Sequence, residues 1–329
     1  MKSQLTNRRH LIQGTTALAL LAALGAAIAQ TAPWPNKPIK IIVGFPPGTT
    51  PDIFARLYGE ALSKRVGVPV VVESKLGAGG NLASEATARA AADGYTVMYN
   101  LATTFTANPY LYTKLPYDPV KDFVPVATTM RQGLVLIASP AKVSAKTLKE
   151  LLPALSAKPG AMSYGSYGAG TPSHLIMEWL LEETKTSVVH VPYKGSAVND
   201  VIAGTVELAM EPISTAMPFI TSGRIKALAY SGDTRHAALL DVPTLSESVP
   251  ALNITSWHGI WAPAATPTAI VARLNSEFVS ISRDPDMQQR IRALNVEPLG
   301  LSTAEMISLT KRDADNMSRV IKAKNITLD

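Results

Sequence analysis

No cysteine occurs in the sequence, which excludes a disulfide framework, a thiolate nucleophile and any thiolate-bound metal. Charge is sparse, at 17% of residues, and no Lys/Arg-rich block with interleaved aromatics appears. A nucleic-acid partner is therefore not expected despite the formal net charge of +6. The five histidines, at positions 10, 174, 190, 236 and 258, show no HExxH or other close ligand spacing. Neither a metal site nor a cofactor is expected.

Enzyme signatures are missing too. A GxSxG elbow around Ser166 and Gly168 needs glycine at 164, where the chain has Tyr164, and no GxxxxGK[ST] loop exists. The pattern GxGxxG fails twice, at Gly77-Ala78-Gly79-Gly80-Asn81-Leu82 and at Gly168-Ala169-Gly170-Thr171-Pro172-Ser173. Triads are recognised by geometry and not by order, so Ser166, His174 and Asp52 can still be combined across a cleft. A periplasmic hydrolase using Ser166 and His174 is accordingly the alternative function. The plainer reading has His174 fixing its helix start and His190 sitting in a strand.

One long apolar run is present, Thr15 to Ile28, preceded by Lys2, Arg8 and Arg9 and followed by Ala27-Ile28-Ala29 before Gln30. Residues 1–29 read as a secretory signal cleaved near Ala29, which places the mature protein in the periplasm. The segment is short for a membrane anchor. Asn7-Arg8-Arg9 also suits a twin-arginine signal. Removing Lys2, Arg8 and Arg9 leaves 28 basic residues against 25 acidic ones, a net charge of only +3.

With 329 residues, 47% of them apolar, the chain can bury a large core or two. Short Val/Ile-rich runs at 39–43 and 68–72 read as buried strands of a parallel sheet. Ile53, Phe54, Leu57, Ala61 and Leu62 fall between them at helical spacing. The alternation continues with a helix at 82–92 and strands at 95–100, 123–128 and 134–138, the last two separated by 129–133. A second set has strands at 162–165, 187–191, 206–210 and 225–231 and helices at 173–183 and 197–203. One further strand at 257–262, a helix from Thr266-Pro267 and a capping box at Ser302-Thr303-Ala304-Glu305 follow.

Two crossings, near 128–134 and 250–257, imply an α/β chain of two open, mainly parallel sheets joined by a two-stranded hinge, with a cleft between the lobes. The expected first lobe is 30–130 with 254–329, and the second is 131–253. In such sheets ligands bind beyond the carboxyl ends of the strands. Two loops there are ready for an anion. Phe45-Pro46-Pro47-Gly48-Thr49-Thr50-Pro51-Asp52 gives a threonine cap and a proline start, with free amides and a helix dipole behind them. Ser166-Tyr167-Gly168-Ala169-Gly170-Thr171 repeats the idea in the second set.

An ordered series of motifs runs through the mature chain: Val43-Gly44-Phe45-Pro46-Pro47-Gly48, Gly77-Ala78-Gly79-Gly80-Asn81, Asp93-Gly94-Tyr95-Thr96 and Leu115-Pro116-Tyr117-Asp118-Pro119. It continues in His190-Val191-Pro192-Tyr193-Lys194-Gly195, Asp241-Val242-Pro243-Thr244 and Ala262-Pro263. In these motifs the chain resembles the Bug (TctC-like) extracytoplasmic solute receptors of tripartite tricarboxylate transporters. What the resemblance implies is a two-lobed periplasmic binding protein of the type II, Venus flytrap kind. Such a receptor is not an enzyme. It closes on a small carboxylate-bearing ligand, such as a dicarboxylate, aromatic acid or amino acid, and presents it to a membrane transporter or sensor subunit.

Carried over by position, the implied ligand-binding residues are Phe45, Pro47, Gly48, Thr49, Thr50 and Asp52, then Thr103 and Thr104, then Ser166, Gly168, Ala169, Gly170 and Thr171. Glu211 joins them where the family usually has aspartate. Thr49 stands where a glycine is common, so the pocket should be narrower there or the ligand differently oriented. Arg131, in the first crossing, either pairs with a second anionic group of the ligand or is a solvated hinge charge.

Overall fold

The computed structural model describes residues 34–328; the expected signal and its cleavage point lie outside them. Residues 34–37 belong to a unit of their own and contain a cis Trp34–Pro35 peptide bond. From Pro38 the chain lays down β1 (Ile39–Val43), α1 (Thr50–Val66), β2 (Val70–Ser74), α2 (Asn81–Ala88) and β3 (Thr96–Leu101). Two single-turn helices, α3 (Thr103–Thr106) and α4 (Asn108–Leu111), lead to the long strand β4 (Phe123–Gln132).

A second group comprises β5 (Leu134–Ala138), α5 (Leu148–Ala157), β6 (Ser163–Ser166), α6 (Pro172–Thr184), β7 (Val189–Pro192) and α7 (Val198–Ala203). It continues with β8 (Leu208–Pro212), α8 (Ile213–Thr221), β9 (Lys226–Tyr230) and α9 (Leu245–Ser248). The chain returns through β10 (Ser256–Pro263) and ends with α10 (Thr268–Arg283), α11 (Pro285–Arg292), β11 (Glu297–Pro298) and α12 (Thr303–Ala323).

Ile39, Ile41, Ile42 and Val43 are all buried, as a central strand covered on both faces requires. Phe54, Leu57, Tyr58 and Leu62 of α1 are buried on the stripe that faces the sheet, while Arg56 and Glu60 stay exposed. The last helix opens with a complete capping box, Ser302 Oγ accepting from Glu305 N–H and Glu305 Oε2 accepting from Ser302 N–H.

Both sheets are mixed, where the sequence suggests mainly parallel ones. The first has the order β11-β4-β10-β3-β1-β2 and the second β7-β6-β8-β5-β9. Parallel ladders are confined to β2-β1-β3 and β7-β6-β8. The other pairs are antiparallel because they involve the crossings. β4 leaves the first sheet and β10 comes back into it, so the two must run in opposite senses when they pair.

The first crossing is tighter than the expected loop at 129–133. Met130 to Gln132 remain in β4 because β10 pairs with them, Ser256 opposite Gln132 and His258 opposite Met130, and Thr129 is the bulged residue between Met130 and Thr128. Only Gly133 separates β4 from β5. An added Cβ there would lie 2.1 Å from the Tyr230 ring, whose hydroxyl accepts the Gly133 N–H at 3.1 Å. The first sheet thus keeps Arg131 and Gln132.

The carboxyl-terminal segment does not serve the first sheet alone. β11 pairs with β4, but Met317, Val320 and Ile321 of α12 share one buried cluster with Leu175, Trp179 and Leu180 of α6. Arg319–Glu183 and Lys324–Glu178 ion pairs, at 2.7 and 3.5 Å, join the same two helices.

Candidate functional site

After β1 the chain turns at Pro46–Thr49. Pro47 and Gly48, the latter at φ +82°, occupy the two central positions with the residue types and positive φ of a type II turn. Thr49 closes it twice, its N–H donating to Pro46 O at 3.2 Å and its Oγ1 at 2.6 Å. The hydroxyl is therefore spent backwards on the turn and does not cap α1, contrary to the sequence expectation. Gly48 N–H donates to Asp52 Oδ2 at 3.0 Å, and Arg56 grips the same carboxylate through Nε and Nη2. Burial opposes the charge on Asp52, but the Arg56 and Gly48 bonds outweigh it and hold the carboxyl below its ordinary range. The first intrahelical bond runs from Ile53 N–H to Thr49 O. Ahead of it lie the amides of Thr50 and Asp52, with Pro51 between them having none.

After β6 the same device recurs residue for residue. Gly168-Ala169-Gly170-Thr171 forms the turn, with Gly170 at φ +74°. Thr171 donates to Gly168 O from its N–H at 3.3 Å and from Oγ1 at 2.7 Å. Gly170 N–H donates to His174 Nδ1 at 3.0 Å, as Gly48 does to Asp52. The first bond of α6 runs from Leu175 N–H to Thr171 O, leaving the amides of Ser173 and His174 ahead of it. His174 thus occupies the place of Asp52 and does its work with a neutral acceptor. Burial, then the neighbouring His190, pushes its pKa down to about 3. The two imidazoles stack at 4.1 Å, and Tyr164 stacks on the far side of His190 at 4.9 Å.

Both helix starts face one cavity of about 210 Å³. Phe45, Thr49, Thr50 and Pro51 line it from the first jaw, and Thr171, Pro172 and Ser173 from the second. Tyr167, Pro212 and Thr215 close one side; Leu101, Gln132, Leu134, Ser256 and His258 form a floor on strand ends and crossings. Among the described residues lining it, none is Lys, Arg, Asp or Glu. Favourable charge for an anion comes from helix amino ends, those of α1 and α6 in the two jaws and that of α8, whose Pro212 and Thr215 also line the cavity.

Of the residues carried over from the family, Phe45, Thr49, Thr50 and Thr171 line this cavity. Pro47, Gly48, Gly168, Ala169 and Gly170 shape the turns behind it, and Asp52 is committed to Gly48 and Arg56. Thr103 instead borders a separate void of about 30 Å³ against Pro172 and Leu175. Thr104 is buried, its Oγ1 beside Gly80. Glu211 is fully buried; its Oε1 accepts the Ala197 N–H at 2.8 Å. Burial, partly offset by the Ala197 amide, pushes its carboxyl up to about 7.

The Ser166–His174–Asp52 triad does not form. Ser166 is fully buried, and its Oγ lies 2.7 Å from His190 Nε2, while His174 Nδ1 is taken by Gly170 and Asp52 by Arg56. Arg131 does not line the cavity, and its charge is paired. Its Nη1 meets Asp233 at 2.6 Å and its Nε meets Glu297 at 2.7 Å, tying β4 and β11 of the first sheet to the loop after β9 of the second. The residues not anticipated are those of the floor. Of Gln132, Ser256 and His258 only the last falls in an expected strand; Gln132 and Ser256 are expected in the crossings, and the register of β4 and β10 brings the three together.

The model of the family described as tripartite tricarboxylate transporter family receptor matches residues 54–326. A UPF0065 protein from the tcbD–tcbE intergenic region of Pseudomonas sp. strain P51 is 32% identical over 318 residues, covering 95% of this chain and 94% of that one. A solved structure of a periplasmic transporter shares 39% identity at a TM-score of 0.79, covering 90% of this chain and all of the other. The R. palustris protein Rpa4515, solved with adipate, shares 29% identity at a TM-score of 0.80 with the same coverage.

Proposed function

This chain belongs to the tripartite tricarboxylate transporter family of receptors, and on that premise we propose that it captures a small carboxylate-bearing solute between its two jaws. It is a receptor and not an enzyme. The observation that carries the reading is the pair of identical turns, one from each sheet, whose helix starts converge on a cavity without charged walls.

An anion placed there meets the amides of Thr50 and Asp52 from one side and of Ser173 and His174 from the other, each reinforced by a helix dipole. The hydroxyl of Thr50 adds to this set, whereas that of Ser173 is spent on the turn, accepting from Tyr167 N–H and bonded to Thr171 Oγ1. A volume of about 210 Å³ is below the roughly 300–1,000 Å³ of sites for drug-sized molecules, which favours a compact acid. Adipate bound to Rpa4515 is a precedent for a dicarboxylate.

Because the jaws belong to different sheets, a ligand touching both stabilises the arrangement in which they approach. Only this difference in contact drives closure. We place the lobe boundaries at the two crossings, with β4 and β10 as the hinge strands. The loaded form is then offered to a membrane transporter or sensor subunit in the periplasm, to which the chain is exported by a signal peptide cleaved near Ala29.

A thermal-shift screen of residues 30–329 against small mono- and dicarboxylates tests this reading. Binding acids raise the melting temperature with the logarithmic dependence of a single site, and calorimetry returns one site per chain. No stabilisation by any acid, or turnover of esters abolished by Ser166→Ala, contradicts it.

A further inference from the structure

Two polar atoms on the cavity floor are buried and have no hydrogen-bond partner: His258 Nε2 and Gln132 Oε1. Gln132 lies directly opposite Ser256 across the β4–β10 ladder. His258, two residues on, projects to the same face. Buried polar atoms are almost always satisfied, so the orphaned His258 nitrogen, beside a Gln132 amide whose oxygen and nitrogen can exchange places by a flip, points to a group that a ligand completes.

The His258 ring is held firmly. Tyr99 and Phe54 pack edge-on against it with centroids 5.7 and 6.5 Å away. Its Nδ1 is 3.2 Å from Tyr99 Oη, which Thr129 Oγ1 approaches at 3.0 Å. Tyr58 Oη continues the chain, donating to Thr129 O at 2.6 Å and lying 2.9 Å from Ser282 Oγ on α10. A phenol is the better donor of such a pair. Thr129 Oγ1 is within reach of both Tyr99 Oη and, at 3.2 Å, His258 O. With Tyr99 Oη accepting from Thr129 and donating its own O–H to Nδ1, the single proton of the neutral ring sits on Nε2.

We infer that His258 determines ligand specificity, its Nε2–H donating to an acceptor oxygen at the end of the ligand remote from the jaws. Ser256 and the Gln132 amide, turned so that its Nε2–H rather than Oε1 faces the carboxylate, complete this subsite. The inference rests on the receptor reading above and narrows it to acids whose far end carries a second carboxylate. Tyr99 is a positioning residue that sets the tautomer.

Calorimetry on residues 30–329 with three probes of equal chain length, adipate, hexanoate and 6-aminohexanoate, tests it; succinate and butyrate repeat the comparison at a shorter length. Adipate should bind roughly 10- to 100-fold more tightly than hexanoate, the span of a hydrogen bond to a charged group. His258→Phe should bring the two within about threefold by weakening adipate while sparing hexanoate. Tyr99→Phe should lower the ratio without abolishing binding. If His258→Phe does not fold, His258→Gln and Gln132→Met carry the same comparison. Equal weakening of adipate and hexanoate in these variants overturns the inference, as does 6-aminohexanoate binding tightest, the mark of a bare Nε2. Failure of every acid to bind the unmodified protein removes the receptor reading and the subsite with it.

Discussion

A Cβ added at Gly48 would meet no atom within 4 Å, whereas one at Gly170 would lie 2.5 Å from Leu328 and 3.0 Å from Leu111. The turns around these glycines are alike in conformation and hydrogen bonding, yet one projects and the other is embedded. The first is anchored by Asp52, paired with an Arg56 side chain that is 53% exposed. The second is anchored by His174, which is 5% exposed and stacked on His190. One backbone device is thus held by a charge near solvent in one lobe and by neutral aromatic packing in the other. The lesson is that the second jaw supplies a fixed wall, and the first is where size and orientation of the ligand can be adjusted. Thr49 and Pro51, both lining the cavity from the first jaw, sit where such adjustment is least costly.

The sharpest way to break the comparison is to add the same methyl group to both turns. Both glycines have positive φ, so Gly→Ala at either costs about 1 kcal/mol or somewhat more in conformation. Gly170→Ala also overpacks Leu328 and Leu111 and should lose about 2–4 kcal/mol in urea unfolding. Gly48→Ala should lose about 1 kcal/mol. Equal losses would mean that the second jaw is no more embedded than the first.

Acid separates the anchors by charge type. His174 and His258 are pushed down to about 3 by burial, so below their ordinary pKa near 6.5 the unfolded chain binds protons that the folded chain refuses. Their contribution is complete above pH 6.5 and is lost as pH falls toward 3, at up to about 1.4 kcal/mol per pH unit for each ring. His174→Gln should flatten this part of a melting-temperature profile. Asp52, held below its ordinary range, acts in the same direction and is lost only in stronger acid.

Glu211 has the opposite sign. Its carboxyl is raised to about 7, so stability falls as pH rises from about 4.5 to 7, where the unfolded chain releases the proton first. Glu211→Gln should remove that loss, and an unchanged profile would show that the carboxyl is not buried as described.

The smallest expected effect is at the link between the two sheets. Arg131, Asp233 and Glu297 have partly exposed side chains, so Arg131→Ala should cost at most about 1 kcal/mol. It should leave acid affinity within about threefold, because Arg131 does not line the cavity. A larger loss of dicarboxylate binding would restore it as a ligand residue.

Local chemistry made the helix starts legible. A proline and glycine before a threonine, at the end of a Val/Ile strand, is a turn with a helix behind it, and Ser302–Glu305 is an unambiguous cap. That the second loop repeats the first is legible too, but the equivalence of their anchors is not, because Asp52 and His174 share only the ability to accept one hydrogen bond. Thr103 and Thr104 were placed by family position and not by local physics, and the packing of α3 puts them outside the cavity. The floor was invisible for a different reason. Gln132 and His258 are 126 residues apart in the chain and meet only through the antiparallel register of two crossing strands. The sequence also separates β4 from β5 by five residues, since nothing local announces that β10 will hold Met130 to Gln132 in the ladder.

That both jaws hold one carboxylate is tested most directly by amide ¹⁵N–¹H spectra of the protein titrated with adipate. The account predicts that Thr50 and Asp52 from α1 and Ser173 and His174 from α6 shift together, with one shared dissociation constant. Movement confined to a single jaw, or separate midpoints for the two, would contradict it.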